Sequence, residues 1–491
     1  MNISRRTFLK GAGTLVLASS GCVHLRSQPR RTLVNDVQSR LNPTYVKRVV
    51  KVHSLSQLES VIKQAAASGN PVSICGGRHA MGGQQFLTDG ILLDTTSLRR
   101  VVKFDADRGT IEVEAGIKWP ELLKYLLAKQ RDPQHTWTFA QKQTGANSFC
   151  LGGALGSNIH SRGLQMKPFI SDIESFTLVD QTGTYRKCSR TENSELFRLA
   201  IGGYGLFGVV YSINLRLVPR RKLQRVVELL DVDEVMPAFA RRIQDGFLYG
   251  DFQFAIDRGS KDFLRRGIFS CYRPMPIDTP IAPRKGLSTR AWLDLVYGAH
   301  LQPTRTFEVY ADYYQATSGS IYWSDLHQFS GYLDNFHDEV DRRMRAEHRA
   351  SEIITEMYVP RELLPDFMAA AREDFRTNKV TVIYGTIRLI ERDDESFLAW
   401  AREPYACVIF NLHTVHTPQG IQHSAEAFRR LIDLAAERRG RYYLTYHKFA
   451  SRRQLETCYP EFPKFVALKR QFDPQEMFQS DWYRRYRDEA I

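Results

Sequence analysis

Three glycine-rich segments constrain this chain more than any other feature. The first, Gly76-Gly77-Arg78-His79-Ala80-Met81-Gly82-Gly83, directly follows the apolar run Val72-Ser73-Ile74-Cys75. The second, Gly152-Gly153-Ala154-Leu155-Gly156-Ser157-Asn158-Ile159-His160, lies in a glycine-rich stretch from 145 to 163 that also takes in Gly145 and Cys150. The third, Gly202-Gly203-Tyr204-Gly205-Leu206-Phe207-Gly208-Val209-Val210, leads into a strand pattern. Successive backbone N–H groups in such a turn form a concave anion-binding nest. Small residues also let a flat ring system lie against backbone. No helix pattern opens on the first segment, so it is not the Rossmann fingerprint. Taken singly, a tight turn and a glycine-rich surface loop are the plain alternatives.

The segments sit in an αβ rhythm. Ser54 can cap a helix whose apolar face is Leu55, Leu58, Ile62 and Ala65, stopped by Gly69-Asn70-Pro71. Strands are expected at 72–75, 91–94 and 110–114, where apolar and polar residues alternate in the last. Pro120 opens a helix through Lys129. A hairpin follows over 173–188 around Thr182-Gly183, then a helix at 194–200 and a strand at 209–217 closed by Pro219. Beyond Pro219 the strands lengthen and aromatics increase, which reads as a second domain from 220 to about 440. Residues 441–491, rich in aromatics and arginine, form a final segment.

At 491 residues, two packed domains are the default. The apolar fraction, 43%, is enough for a sizeable core, and no window of eighteen apolar residues exists, which excludes a polytopic membrane protein. The net charge of +14 comes from dispersed basic residues rather than one long run, so nucleic-acid binding is not expected. Positive potential instead favours anionic cofactors or substrates.

Ser4-Arg5-Arg6-Thr7-Phe8-Leu9-Lys10 has the form of a twin-arginine export signal, and Gly11–Ser20 supplies its short apolar region. The expectation is a signal peptide over 1–22, a linker over 23–43 and a periplasmic protein exported already folded. A lipid anchor at Cys22 is the alternative, with Ser19 against it. The other six cysteines show no metal-type spacing and read as buried thiols.

Taken in order, the three glycine segments resemble the vanillyl-alcohol-oxidase (PCMH-type) FAD-binding domain over residues 44–219, including the run Gly116-Ile117-Lys118-Trp119. The resemblance implies an α+β fold: a two-subdomain FAD-binding domain plus an α+β substrate domain built on an antiparallel sheet. It implies FAD held by Gly76, Gly77, Arg78, His79, Ala80, Met81, Gly82, Gly145, Cys150, Gly152, Gly153, Gly156, Ser157, His160, Gly208 and Val209. His79 falls in a Gly-x-Arg-His pattern like that of alditol oxidases, where a histidine bonds the flavin. A neutral imidazole is nucleophilic enough for this, and a non-covalent histidine of the phosphate loop is the alternative.

The last segment is similar to that of aldonolactone and alditol oxidases and of decaprenylphosphoryl-ribose oxidase: Tyr442-Tyr443-Leu444-Thr445-Tyr446-His447-Lys448, Cys458-Tyr459-Pro460, Phe472-Asp473-Pro474 and Phe478-Gln479-Ser480. That match implies that it returns to the flavin, with Tyr443 on FAD and Lys448 or His447 near the reacting carbon. Gly385-Thr386-Ile387-Arg388 matches a substrate-facing strand that keeps its arginine, Arg388, but has Thr386 in place of an acidic residue. Asn411 and His413 share one face of a facing strand. His413 and His416 face opposite sides, so no metal is expected.

These residue types suit oxidation of a CH–OH group, where a base or cation beside the oxygen lowers the barrier to hydride transfer to flavin N5. The expected function is an FAD-dependent oxidase or dehydrogenase of a polyol, aldose or aldonolactone, with oxygen or a quinone as acceptor. Membrane contact is compatible but not required. The alternatives are an envelope enzyme acting on a lipid-linked sugar, and a non-catalytic flavin-binding protein.

Overall fold

The computed structural model describes residues 31–132, 135–144, 147–283, 286–329 and 336–488. The twin-arginine segment, Cys22 and Gly145 lie outside the described residues. Residues 31–43, expected as linker, are built in. Strand β1 (Thr32–Val34) pairs antiparallel with β2 (Thr44–Val46). Between them Asp36 closes a turn by accepting from the backbone N–H groups of Gln38 (3.0 Å), Ser39 (2.5 Å) and Arg40 (3.0 Å). Polar composition misled here because a carboxylate that satisfies its own turn can be buried at little cost.

A three-stranded parallel sheet follows, ordered β3 (Arg48–Lys51), β5 (Ile91–Asp94), β4 (Val72–Cys75). Parallel pairing needs a crossover, which α1 (Leu55–Ala67) supplies between β3 and β4. Ser54 caps α1 by accepting from Gln57 N–H, and Leu58, Val61, Ile62 and Ala65 form its buried face. The second subdomain is an antiparallel sheet of β6 (Val101–Asp105), β7 (Thr110–Glu114), β9 (Ile173–Val179), β10 (Tyr185–Ser189) and β11 (Val209–Arg216), in the order β10-β9-β11-β7-β6. Helices α2 (Trp119–Lys129), α3 (Leu151–Ser157) and α4 (Ser194–Ala200) lie in its connections, and the short β8 (Trp137–Thr138) pairs with β12 (Val218–Pro219).

An eight-stranded antiparallel sheet takes the chain from Lys222 to Tyr442. Its strands are β13 (Lys222–Asp231), β14 (Tyr249–Phe254), β15 (Arg266–Met275), β16 (Ile321–Trp323), β17 (Ala350–Pro360), β18 (Val382–Ile390), β19 (Tyr405–Val415) and β20 (Arg441–Tyr442). The order is β16-β13-β15-β14-β18-β19-β17-β20. One face packs on α5 (Val232–Gln244), α9 (Leu364–Thr377) and α10 (Pro418–Ala436). Ile353, Met357, Ile387, Val408, Phe410 and Leu412 are buried there, each contributing about 1.5–3 kcal/mol.

The other face carries the chemistry. Side chains alternate along a strand, and the register places Glu352 beside His413, Ile354 beside Asn411, Glu356 beside Ile409 and Tyr358 beside Cys407. On the next strand Tyr384, Thr386 and Arg388 stand beside Asn411, Ile409 and Cys407. Helices α6 (Thr289–Leu301), α7 (Pro303–Ala316) and α8 (Phe336–Met344) pack on the same sheet and meet this polar row.

The chain end closes back on the start through α11 (Arg452–Cys458), α12 (Phe462–Phe472) and α13 (Asp481–Asp488). Val72 N–H donates to Met477 O at 2.7 Å and Gln479 N–H to Val72 O at 2.9 Å, so the last segment extends the first sheet beside β4. Among the described residues no helix is long and apolar enough to cross a membrane.

Candidate active site

A cavity of about 430 Å3 lies between the glycine segments and the polar row of the large sheet, a size usual for small-molecule sites. Gly76, Gly77, Arg78, His79, Ala80 and Met81 form one wall, with Cys150, Gly152, Gly153, Gly156, Ser157 and Gly208 beside them. Tyr443, Thr445, Tyr446, Tyr384, Asn411 and Glu352 form the facing wall.

The glycines are there for closeness. A Cβ on Gly77 would come within 2.8 Å of Ser148 O, and one on Gly208, at φ +144°, within 2.7 Å of Val179 O. Gly153 and Gly156 differ: a Cβ on either meets nothing within 4 Å. They are the bare side of α3, open for a flat group to lie against. This stretch, legible only as glycine-rich, is a short helix ended by Asn158 in the left-handed region. Asn158 is fixed there by donating to Asp393 Oδ2 at 2.9 Å and accepting from Ile170 N–H at 2.9 Å.

His79 packs edge-on against Phe149 at 4.5 Å between ring centroids. Burial, helped by the Lys118 charge, pushes its pKa down to about 4, so the ring is neutral at pH 7. Its Nδ1 is buried without a hydrogen-bond partner, as are Asn411 Oδ1 and Arg388 Nε and Nη1. Buried polar atoms are ordinarily paired. A cleft with a bare glycine face and orphaned polar groups beside it fits a planar cofactor with a polar edge: the glycine walls and His79 would hold FAD, and Asn411 and Arg388 stand on the opposite side.

The returning segment is pinned to the glycine walls. Tyr443 O–H donates to Ser157 O at 2.7 Å, Met81 N–H donates to Thr445 O at 3.3 Å, and Ser157 Oγ lies 3.3 Å from Thr445 Oγ1. After β20 the chain turns, with Tyr446 N–H on Tyr443 O. That turn changes which residue faces the cavity. Tyr446 does; His447 and Lys448, expected at the reacting carbon, do not line it. The His447 ring stacks on Phe449 at 4.8 Å, and Lys448 sits toward Gly83, with Asp481 and Arg485 as its charged neighbours.

Other expected residues divide. Val209 points into the core of the first sheet while its strand neighbour Val210 lines the cavity. Gly82 backs the Tyr446 carbonyl: a Cβ there would sit 2.8 Å from that oxygen. His160 lies beneath the cavity in a buried cluster around Glu356. Its Nδ1 is 2.9 Å from Ser161 O and its Nε2 2.5 Å from Glu356 Oε1, which also accepts from Tyr358 O–H at 2.8 Å and Cys407 Sγ at 2.9 Å. Burial pushes the Glu356 carboxyl up, but the His160 ring and these hydrogen bonds outweigh it and hold the pKa to about 2. Arg388 is buried on the same face, its charge felt by Tyr446 and Tyr384. Behind it Lys142 is fully buried, and burial with Arg162 and Arg388 pushes its pKa down to about 7. His413 leaves the cavity's centre for Glu352, at 3.4 Å.

Sequence reasoning missed Tyr446, Glu352, Glu356 and Lys142. The glutamates left a signal: two acids four apart, Glu352 and Glu356, in the largely apolar strand Ala350–Pro360, hence on one face of it. Lys142 left none.

Comparison with known proteins agrees with the geometry on both walls. Residues 46–189 match the FAD binding domain family, and residues 289–486 match the D-arabinono-1,4-lactone oxidase family. The chain is 28% identical to L-gulonolactone oxidase of Bos taurus over 37% of its length. The match spans 40% of the length of that relative and of an oxidoreductase from the fasciation locus of Rhodococcoides fascians. It is 22% identical to L-gulono-1,4-lactone dehydrogenase of Mycobacterium tuberculosis over 89% of this chain and 95% of that one. Decaprenylphosphoryl-beta-D-ribose oxidase of Mycolicibacterium smegmatis is 21% identical over 87% and 92%. With one match on the glycine walls and the other on the sheet and the returning segment, the chain pairs an FAD binding domain with a region of the D-arabinono-1,4-lactone oxidase family.

Proposed function

We propose that the protein oxidises a CH–OH group of a sugar-like substrate, a polyol, aldose or aldonolactone. The observation that carries this reading is the row of polar side chains facing the glycine walls: Tyr446, Asn411 and, behind them, Arg388 with two buried, unpartnered guanidinium nitrogens. Bound FAD supplies the hydride acceptor. Burial, reinforced by Glu356, holds the Tyr446 hydroxyl well above the usual phenol range. It therefore stays protonated and donates to the substrate oxygen rather than acting as a base. The Arg388 cation stabilises negative charge as it develops on that oxygen, an effect strengthened by exclusion of water. Asn411 offers a carbonyl oxygen to a neighbouring hydroxyl. His79, neutral and held on the phosphate loop, would hold the flavin through a ring nitrogen.

Anaerobic mixing with polyols, aldoses and aldonolactones tests the reading. At least one should bleach the flavin, and Tyr446→Phe should slow that bleaching about 100-fold with FAD still bound. No bleaching by any member of the panel sinks it.

A second reading, a lipid-linked sugar, is favoured by one feature. Helices α6 and α7 add Trp292, Leu295, Val296, Phe307 and Tyr310 to the cavity wall, an apolar surface that a free polyol does not need. Bleaching by a detergent-dispersed polyprenyl-phosphate sugar, but not by soluble polyols, selects it. Export through the twin-arginine signal puts either reaction in the periplasm, with oxygen or a quinone as the acceptor. Cell fractionation with Arg5→Lys, Arg6→Lys as the export-blocked control tests the address.

A further inference from the structure

Glu352 sits at the end of the polar row, on the same face of β17 as Glu356. Three imidazoles approach it: His300 from α6, His337 from α8 and His413 from β19. All four side chains are at most 20% exposed. His300 Nδ1 donates to Val296 O at 2.8 Å. In the neutral ring the other nitrogen, Nε2, presents its lone pair to Glu352 Oε1, at 3.2 Å. His413 Nδ1 faces the same oxygen at 3.4 Å. A lone pair aimed at a carboxylate is repulsive unless a proton or a metal cation lies between them.

The distances separate those cases. A proton shared between imidazole and carboxylate draws the atoms to about 2.7–2.9 Å or less. That is the situation at Glu356, 2.5 Å from His160; His337 Nδ1 also lies 2.6 Å from Glu352 Oε2, but without hydrogen-bond alignment. The other two gaps, 3.2 and 3.4 Å, are longer than that, at the far end of ordinary hydrogen bonding. They match the edge of a tetrahedron with metal–ligand bonds of about 2.0–2.1 Å, an edge of about 3.3 Å. His300 Nε2, His413 Nδ1 and Glu352 Oε1 all lie within 4.8 Å of one another.

The outer shell of such a site is also in place. Metal-bound imidazoles give their second N–H to a carbonyl, and bound carboxylates are themselves hydrogen-bonded. Here Val296 O takes the His300 N–H, and the His337 ring meets the second Glu352 oxygen. We propose that His300, His413 and Glu352 form a binding site for a divalent transition-metal cation of the zinc class in the wall of the cavity. Glu352 lines the cavity, so the fourth coordination position opens toward it and takes a water or an oxygen of the substrate. Two imidazoles and one carboxylate with an open position form a donor set suited to zinc. The site also ties α6 to two strands of the sheet.

The test uses the FAD-loaded protein, stripped with a chelator, dialysed and titrated with zinc, with metal content measured per chain. Wild type and His423→Ala, a histidine outside the site, should bind one equivalent. Glu352→Gln and His413→Ala should lose at least 100-fold in affinity. Cobalt in place of zinc should give the visible absorption of a tetrahedral centre, and flavin absorbance reports which variants are folded. Wild type that takes up no zinc above the buffer control overturns the proposal, whatever the variants do. Equal affinity in folded Glu352→Gln and wild type overturns it too.

Discussion

Glu356 and Glu352 stand four residues apart on one face of β17, both buried, both facing histidines, yet they are satisfied differently. Around Glu356 every donor is close. His160, Tyr358 and Cys407 reach a single oxygen at 2.5–2.9 Å, and the rings of Tyr358, Trp400 and Tyr443 pack around the group, Tyr358 on Trp400 at 4.5 Å. Around Glu352 two of the three imidazoles stand off at 3.2 and 3.4 Å, where helices α6 and α8 meet the sheet. The contrast shows that a buried acid on a strand is not one kind of feature. One closes a hydrogen-bonded base under the flavin wall, and the other leaves room for a cation.

The largest effect should come from Glu356→Gln. It removes the charge that the His160 ring faces, and breaking a buried pair costs about 3–5 kcal/mol, read as lost stability in denaturant unfolding. A loss under about 1 kcal/mol would mean that the two sites are alike. Glu352→Gln in chelator-stripped protein should cost less, because two of its three imidazole contacts are longer.

Next is the cavity face of the returning segment. Tyr446→Phe should lower the rate of flavin reduction about 100-fold, whereas Lys448→Ala should change it only a few-fold. A large loss in Lys448→Ala, with Tyr446→Phe near wild type, would reverse the placement of that turn.

A further effect is in acid. The Glu356 pKa lies near 2 in the folded protein against an ordinary 4.5. A depressed carboxyl contributes stability that is complete above the unfolded value and is lost as pH falls through the folded one. Wild type should therefore lose stability between about pH 4.5 and 2, and Glu356→Gln should show a shallower slope there. Parallel slopes in melting temperature against pH would remove Glu356 from the account.

Much of this was legible in the chain. Strand alternation marked Thr110–Glu114, and the Ser54 cap with Leu58, Ile62 and Ala65 marked α1, because periodicity is a local property. The glycine segments announced the cofactor walls because close approach excludes side chains. Tyr446 was not legible: beyond β20 the backbone turns at 443–446, and no period carries side-chain direction through a turn. Residues 31–43 read as linker because their polar groups satisfy one another inside the fold. The α6 wall escaped because its partner lies far along the chain: His300 is 52 residues from Glu352.

The central claim is that the glycine walls hold FAD and that His79 bonds it. It is tested most directly by denaturing the purified protein in acid and weighing the polypeptide beside a His79→Ala variant. The account predicts flavin colour and one FAD of added mass on the wild-type chain, both gone from the denatured variant. Colourless protein that refuses added FAD would contradict it outright, and flavin released from denatured wild type would contradict the bond to His79.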